Sequence, residues 1–386
     1  MLSHLTLKAS ANLNGKLSPF YGGLAQGTGL TEPSGRVAEL CRDLPNGKVQ
    51  CTACARLCQM GEGQVGLCGV RGVVGGKLYL LVYGRVMAGH IDPIEKKPVV
   101  HYRPGSKIFS IATSGCDWLC RYCQNYDISQ RRKIEGVEAT PEDMVAQALA
   151  YECEGVAYTY NEPTIFMEYA RDVGRIARSK GLFNIFVSNG YATPETVAMM
   201  DDFLDCITVD FKGSGEKEFV KSYIGIPDAE PVFQSLLELK RRGKVHVEIT
   251  DLVVPRVGES LEAAEKLCRF VYDNLGPDIP VHFLRFHPDY KMMDFPWTPV
   301  QILERHVAIG RKVGLNYVYV GNVPGHPDES TYCPGCKKVL IKRYGYEIVD
   351  YNLDGKNRCR ACGYETPIVG PLSKSFAEDR FVSVIS

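Results

Sequence analysis

Short runs of apolar residues alternate with longer amphipathic stretches through the middle of the chain. Seven runs rich in β-branched or aromatic residues end at polar turns, which predicts strands at residues 108–113, 156–160, 183–188, 206–210, 245–254, 281–285 and 317–320. Between these runs, apolar residues recur at helical spacing. One predicted helix face carries Ile165, Phe166, Tyr169, Val173, Ile176 and Ala177. The alternation predicts an α/β fold with helices outside a parallel sheet, either a partial or a complete barrel.

Several predicted helices share a start signal, which is a threonine followed by a proline. The pairs are Thr140 with Pro141, Thr193 with Pro194, and Thr298 with Pro299. In each pair the threonine is expected at the N-cap and the proline at the first helical position. Barrels of this kind collect their chemistry at the carboxyl ends of the strands. Polar residues directly after a predicted strand are therefore the first candidates for a site.

Composition narrows the class of protein. The 386 residues include 45 Lys and Arg against 45 Asp and Glu, and 45% are apolar. This balance is typical of a globular protein and argues against a strongly electrostatic binder of nucleic acid or membranes. No apolar stretch approaches the ~20 residues of a transmembrane helix, and residues 1–30 show no signal-peptide pattern. We therefore expect a cytoplasmic protein whose thiols stay reduced.

The 15 cysteines are the unusual feature, because most of them are clustered. Three groups are evident: Cys51, Cys54, Cys58 and Cys68; Cys116, Cys120 and Cys123; Cys333, Cys336, Cys359 and Cys362. Clustered cysteines in a reducing compartment indicate metal ligands. The grouping predicts an N-terminal cysteine-rich module at 1–107, a barrel at 108–328, and a C-terminal ribbon with its tail at 329–386. Cys41, Cys153, Cys206 and Cys268 are expected to be small buried hydrophobic residues.

The middle group follows directly on the first predicted barrel strand, with the spacing Cys-x3-Cys-x2-Cys. Three thiolates on one short loop can hold three irons of a [4Fe–4S] cluster, which normally takes four cysteines. The missing fourth thiolate would leave one iron open to a small molecule. The competing interpretations are a zinc knuckle that lacks one ligand, or three core cysteines.

This cysteine motif resembles that of the radical S-adenosylmethionine (SAM) superfamily. The resemblance implies that SAM binds the open iron. It further implies that the reduced cluster cleaves SAM to methionine and a 5′-deoxyadenosyl radical, and that this radical abstracts hydrogen from a substrate. A low-potential electron donor is then required. No side chain beyond the cluster is assigned a catalytic role.

Polar segments at later strand ends extend the resemblance. Asn161 and Glu162 stand where the superfamily holds the SAM amino group, although this sequence lacks the usual glycines there. Further segments are similar to those near the SAM ribose and carboxylate in glycyl-radical activating enzymes. The cofactor-binding candidates are therefore Asn161, Glu162, Ser188, Asn189, Asp210, Lys212 and, on the substrate side, His287. Each segment taken singly could equally be a polar loop.

The two outer groups are predicted to be closed metal sites. Cys333, Cys336, Cys359 and Cys362 form two CxxC pairs separated by 22 residues, the pattern of a zinc ribbon. Gly363 after the second pair is expected to permit a tight turn. Cys51, Cys54, Cys58 and Cys68 could hold zinc or an auxiliary [4Fe–4S] cluster, and zinc is slightly favoured.

Further segments resemble one branch of the superfamily. These are 50–56, 68–71, 92–98, 123–129 and 158–164, together with the terminal ribbon. They are similar to the radical SAM member of the AmmeMemoRadiSam system, which is often described as pyruvate-formate-lyase-activating-enzyme-like. That resemblance implies a partial (β/α)6 barrel and association with Memo-type and AMMECR-type proteins. One departure, Asp117 followed by Trp118, leaves every ligand position unchanged.

Two functions from different classes remain open on the sequence. The first is an enzyme that abstracts hydrogen from a protein, a peptide or a small metabolite. The second is a non-catalytic iron–sulfur or zinc-ribbon protein that acts as a carrier or a partner-binding scaffold. A carrier would not need the polar residues at the later strand ends, so their placement discriminates between the two.

Overall fold

A nine-stranded sheet forms the centre of the molecule. The computed structural model describes residues 26–27, 30–378 and 381–385. Seven strands of the sheet are parallel and adjacent in chain order: β1 (Lys107–Ala112), β2 (Gly155–Tyr158), β3 (Phe183–Ser188), β4 (Cys206–Lys212), β5 (His246–Val253), β6 (Val281–Arg285) and β7 (Val318–Gly321). All seven predicted strands are confirmed. Most of their residues are buried because both faces of each strand are covered.

Six helices connect the parallel strands and cover the outside of the sheet. They are α1 (Pro141–Ala150), α2 (Met167–Ser179), α3 (Pro194–Met200), α4 (Glu230–Arg242), α5 (Leu261–Phe270) and α6 (Val300–Val313). In the described part of the chain, β7 and β1 are not paired with each other. The barrel is therefore partial, with six βα units and a closing strand, as the family resemblance implied.

The start signals of the helices are confirmed in two cases and wrong in the third. The Thr140 hydroxyl accepts a hydrogen bond from the backbone of Asp143 and completes a capping box, and Thr193 caps α3. Helix α6 begins one residue later than predicted, with Pro299 as its N-cap. The Thr298 hydroxyl is used elsewhere, because it donates to the carbonyl of Val253 at 2.7 Å.

Two antiparallel strands extend the sheet beyond β1. Ala88–Pro93 pairs with β1, and Val382–Ile385 pairs with Ala88–Pro93 at the outer edge. Ala88–Pro93 is not among the seven strands that the sequence predicts. Strand Ala88–Pro93 lacks a run of apolar residues, and its pairing depends on residues that are distant in sequence.

Smaller sheets flank the barrel. The N-terminal region contains a five-stranded sheet of Gln26–Gly27, Arg36–Val37, Gln64–Val65, Arg71–Val74 and Lys77–Leu80, and a three-stranded sheet of Cys41–Asp43, Val49–Cys51 and Gln59–Met60. Arg85–Val86 pairs with Val137–Glu138. The C-terminal ribbon contains Thr331–Tyr332, Val339–Tyr344 and Glu347–Tyr351.

Short helical segments complete the chain. They are Ile94–Lys96, Tyr126–Ser129, Pro163–Phe166, Gly213–Gly215, Lys217–Phe219, Val220–Ile224, Val271–Leu275 and Pro327–Glu329. Among the described residues, no helix combines the length and the apolar character needed to cross a membrane.

Buried polar contacts tie the outer regions to the barrel. Arg71 is 1% exposed, and its guanidinium pairs with the carboxylate of Glu168 on α2. At the other end of the chain, Arg343 of the ribbon donates to the carbonyl of Val100 at 3.0 Å, and the N–H of Val100 donates to Glu248 of β5 at 3.0 Å. These contacts bury charged side chains between segments far apart in sequence, so they hold the flanking regions against the barrel.

Candidate functional site

The loop that carries the middle cysteine group, residues 114–125, is called the cysteine loop below. It follows β1 and forms one wall of a cavity of about 410 Å³ at the carboxyl ends of the seven parallel strands. Two features pin the loop. The Asn161 side chain donates to the carbonyls of Thr113 and Gly115 at 2.8 and 2.9 Å. The backbone N–H of Leu119 donates to the carbonyl of Ile224 at 2.8 Å.

The three loop thiols fit a cluster better than a single metal ion. Around one zinc, four sulfur atoms ~2.3 Å from the metal lie about 3.8 Å from one another. Among the described residues, only the C-terminal cysteine group brings three or more ligand atoms within 4.8 Å of one another. The sulfur atoms of Cys116, Cys120 and Cys123 therefore stand further apart, as they do when each binds a different iron of a cubane.

Burial and nearby charges shift the pKa values of these thiols. Burial raises the pKa of Cys116 well above its usual value and that of Cys120 to about 12, while the ammonium of Lys212 opposes the rise at Cys120. The Cys123 sulfur lies 3.1 Å from the hydroxyl of Ser129. Such thiols ionise when a metal replaces the proton, so metal binding at this loop releases protons.

Glu162 is a buried carboxyl group behind the loop. It accepts hydrogen bonds from the Ser188 hydroxyl at 2.8 Å and from the backbone N–H groups of Asn189 and Thr164 at 2.7 and 3.0 Å. Burial and the neighbouring carboxylate of Asp117 raise the pKa of Glu162 to about 8. Glu162 also acts as N-cap of the short helix Pro163–Phe166, so the turn that it caps and the cavity that it lines are compatible roles.

Asp117 lies on the cysteine loop and links this loop to Asn189, the residue that follows β3. Its Oδ1 atom accepts from the side-chain amide of Asn189 at 2.8 Å and lies 3.8 Å from the Cys116 sulfur. Its Oδ2 atom is buried and has no hydrogen-bond partner. Burial raises the pKa of Asp117. The sequence marked this residue only as a departure from the family pattern, because its partners come from other strands.

A salt bridge lies across the cavity from the loop. Lys212 at the end of β4 donates to Asp210 at 3.0 Å, and Asp210 also accepts from the hydroxyl of Thr250. Burial alone would lower the pKa of Lys212, but Asp210 raises it, so the ammonium stays charged. A fixed cation and an anion at this position can bind the charged or hydroxyl groups of a ligand.

His287 lies on the rim of the cavity after β6. Its Nε2 atom is 2.6 Å from the side-chain nitrogen of Gln124, and its Nδ1 atom lies 3.2 Å from the carbonyl of Pro288. Both contacts are satisfied when Nδ1 carries the proton and Nε2 accepts from Gln124. His287 thus joins β6 to the cysteine loop across the cavity mouth.

The structure brings six of the seven cofactor-binding candidates to this cavity. They are Asn161, Glu162, Asn189, Asp210, Lys212 and His287. Ser188 lies behind the lining and holds Glu162. Asn161 likewise holds the cysteine loop through its amide nitrogen, while its buried Oδ1 atom has no hydrogen-bond partner.

A cationic group at the cavity was missed by the sequence reading. Asp92 accepts from Lys96 at 2.7 Å, from Lys97 at 2.6 Å and from the hydroxyl of Tyr160 at 2.5 Å. Burial lowers the pKa of Lys97 to about 8. The signal was present in the dense charges of residues 92–98, but only the antiparallel pairing of Ala88–Pro93 with β1 brings them to the cavity, where Asp92 meets Tyr160 after β2.

Comparison with known proteins identifies the family. The model described as the radical SAM superfamily matches residues 110–271. An uncharacterised protein of Methanocaldococcus jannaschii is 40% identical over 339 residues, which span 86% of this chain and 99% of that protein. Residues 110–271 form a domain of the radical SAM superfamily.

Solved structures show distant similarity to this radical SAM protein. A domain of a pyruvate-formate lyase-activating enzyme from Bacteroides vulgatus matches at a TM-score of 0.38 and 14% identity, over 44% of this chain and 99% of that one. A radical SAM methyltransferase from Sphaerobacter thermophilus matches at a TM-score of 0.44 and 16% identity, over 61% of this chain and 71% of that one.

The C-terminal cysteines of this radical SAM protein form a compact group that can hold one metal ion. The sulfur atoms of Cys333 and Cys362 are 3.6 Å apart, and those of Cys336 and Cys359 are 3.7 Å apart. These distances agree with the ~3.8 Å expected around tetrahedral zinc. Gly363 has a φ of 78°, so the predicted need for a flexible turn there is confirmed.

The N-terminal cysteines line a separate, small cavity. Cys51, Cys54, Cys58 and Cys68 are all buried, and they share this cavity with Arg56, Arg71 and Asp117. Of the remaining cysteines, Cys153, Cys206 and Cys268 are buried as predicted, while Cys41 is half-buried.

Proposed function

We propose that this protein is an enzyme that uses a [4Fe–4S] cluster on Cys116, Cys120 and Cys123 to cleave SAM reductively. Methionine and a 5′-deoxyadenosyl radical are the products of that cleavage. The radical then abstracts a hydrogen atom from a substrate, which we propose is a protein or a peptide. The electron comes from a low-potential donor.

One observation carries the proposal. The three loop thiols and six polar residues from successive strand ends line the same cavity. A carrier or scaffold needs a protected cluster but no polar cavity beside it. The cavity offers a buried carboxyl group at Glu162, an ion pair at Asp210 and Lys212, and an unpaired amide oxygen at Asn161. These groups are suited to a ligand with amino, carboxylate and hydroxyl groups, and SAM has all three.

Three further assignments are part of the same proposal: the protein partners, the metal of the ribbon and the bounds of the structural units. The resemblance to the AmmeMemoRadiSam member supports association with Memo-type and AMMECR-type proteins. The compact sulfur geometry supports zinc in the C-terminal ribbon, where it would stabilise a unit with a small core of its own. The boundaries 1–107, 108–328 and 329–386 are proposed as its structural units.

The test uses anaerobically purified and reconstituted protein with SAM and dithionite. The wild type should form 5′-deoxyadenosine, and Cys120→Ala should reduce it to background because one iron loses its thiolate. Cys153→Ala is the control, since Cys153 is buried outside the three groups and should leave product formation unchanged.

Two results would contradict the proposal. One is undiminished 5′-deoxyadenosine formation by Cys120→Ala. The other is absence of product from a wild type whose cluster is intact and reducible, both alone and with a Memo-type partner. The second result would favour the carrier function.

A further inference from the structure

The N-terminal cysteine group encloses a site whose occupant the sequence left open. Cys51 lies at the end of a strand, Cys54 and Cys58 in the turn that follows, and Cys68 in the loop after Gln64–Val65. The backbone N–H of Cys51 donates to the carbonyl of Cys58 at 2.9 Å, which fixes the turn. A Cβ on Gly66 would lie 3.5 Å from the Cys58 sulfur, so the loop that carries Cys68 packs directly on the turn that carries Cys54 and Cys58.

The spacing of the four sulfur atoms argues against a single metal ion. No three of the thiols at Cys51, Cys54, Cys58 and Cys68 lie within 4.8 Å of one another, whereas all four ribbon thiols do. The ribbon thus provides an internal comparison in the same molecule. Four buried thiols around one cavity, set wider than the ~3.8 Å of a zinc site, match a cubane that binds each sulfur at a separate iron.

Positive charge surrounds this cavity. Arg56 and Arg71 line it, and Arg132 lies close to the thiols of Cys68 and Cys116. Arg56 Nη2, Arg132 Nε and Arg132 Nη2 are buried and make no hydrogen bond. Arg71 is already paired with Glu168, and Arg56 Nε donates to the carbonyl of Asp117 at 2.9 Å, so of the buried guanidinium nitrogens described around this cavity only these three lack an acceptor. A buried guanidinium N–H group without an acceptor is costly unless an anion faces it. A cubane with four thiolate ligands is such an anion, whereas an empty set of neutral thiols is not.

The cavity shares a wall with the cysteine loop. The Asp117 carboxylate lies 3.8 Å from the Cys116 sulfur and also lines the cavity of the N-terminal cysteines, where burial and this carboxylate raise the pKa of Cys54. A Cβ on Gly115 would lie only 2.4 Å from the carbonyl oxygen of Cys68. The backbones of the two cysteine groups are therefore in direct contact, with Asp117 between their thiols.

From this geometry we infer that Cys51, Cys54, Cys58 and Cys68 hold a second [4Fe–4S] cluster, fully ligated by cysteine, next to the SAM-binding cluster. All four of its irons have a thiolate ligand, so this cluster offers no open position for SAM. It is distinct from the ribbon, which keeps its own mononuclear geometry.

Metal counting on reconstituted protein tests the inference. A variant with Cys116, Cys120 and Cys123 all changed to Ala should keep about four irons, four sulfides and one zinc per chain. Its dithionite-reduced form should show the electron paramagnetic resonance signal of one [4Fe–4S]⁺ cluster. A Cys54→Ala, Cys68→Ala double variant should lose about four irons relative to wild type and keep its zinc.

Cys41→Ala is the matched control, because Cys41 pairs with Cys51 across neighbouring strands but does not line the cavity. Its iron content should equal that of the wild type. If the double variant fails to fold, the wild type alone decides, since two clusters require about eight irons and one requires about four. A triple variant with no iron and two zincs would overturn the inference.

Electron paramagnetic resonance tests separately whether the two clusters lie next to each other. In reduced wild-type protein, two clusters with a common wall should broaden each other's resonance and relax faster than either cluster alone. A wild-type spectrum that is the simple sum of the two variant spectra would contradict the shared wall. Iron retained in the triple variant would support this inference even if the wild type made no 5′-deoxyadenosine, so failure of the proposed function can be told apart.

Discussion

At the scale of single residues, the cavity depends on carboxyl groups kept from water. Glu162 accepts three hydrogen bonds, and Asp117 accepts from Asn189 and contacts thiols of two cysteine groups. Burial raises the pKa of both carboxyl groups, so each binds a proton more readily in the folded chain than in the unfolded chain. Such groups make stability depend on pH.

Glu162→Gln should weaken the pH dependence of stability between about pH 5 and 8. The folded pKa of Glu162, about 8, lies above its ordinary value, so its stabilising contribution is present at low pH and is lost as pH rises through 8. The melting temperature of the wild type should fall by a few degrees more than that of the variant over this range. Anaerobic thermal unfolding measures it, with exposed Glu152→Gln as the control. Equal slopes in all three proteins would refute this reading of Glu162.

At the scale of elements, the βα alternation was readable because each strand is a short run rich in β-branched or aromatic residues, and α1 and α3 have strong caps. The cysteine loop and the polar strand ends were also readable, since local spacing defines them. Asp92 and Lys97 were missed because strand Ala88–Pro93 is held by long-range pairing. Asp117 was undervalued for the same reason, because its hydrogen-bond partner Asn189 is far away in sequence.

The two turns of the ribbon are equivalent elements with different residues. In the second turn, Gly363 has a φ of 78° and donates to the carbonyl of Cys359 at 2.8 Å. In the first turn, Lys337 has a φ of 62° and donates to the carbonyl of Cys333 at 2.9 Å. A lysine in the left-handed region costs about 1 kcal/mol relative to glycine.

Lys337→Gly should therefore stabilise the ribbon by up to about 1 kcal/mol, and Gly363→Ala should destabilise it by a similar amount. The signs differ because only the first turn carries a Cβ in the left-handed region. The concentration of a zinc chelator needed to remove the ribbon metal should rise for the first variant and fall for the second. Shifts of the same sign in both would show that the turns are not equivalent.

At the scale of the whole molecule, buried ion pairs join the regions that flank the barrel to the barrel itself. Arg71 and Glu168 are both almost completely buried, and Glu168 also accepts from the backbone N–H groups of Glu39 and Leu40 at 3.0 and 3.3 Å. One carboxylate thus holds three points of the N-terminal region against α2. The pair is costly to break because the surviving charge stays buried.

Glu168→Gln should destabilise the protein by about 3 kcal/mol or more, because it keeps an acceptor oxygen but leaves the Arg71 charge unpaired. The exposed pair of Glu262 and Lys266 provides the comparison, and Glu262→Gln should leave the stability nearly unchanged because water and salt screen this pair. Anaerobic urea unfolding of both variants measures the difference. Similar losses from the two substitutions would mean that the buried pair does not join these regions.

The outermost strand of the central sheet also keeps its neighbour, Ala88–Pro93, from pairing with another chain. Val382–Ile385 covers the backbone of Ala88–Pro93, and Ile385 fills the space that a side chain on Gly89 would take. A protease cut that released this strand would expose unpaired N–H and C=O groups along an edge that is otherwise covered. That edge could then recruit a strand from a second chain. The same cut would release Phe381, whose ring centre lies 5.5 Å from the Nζ atom of Lys96, so proteolytic damage would couple aggregation to a change in the cavity's cationic wall.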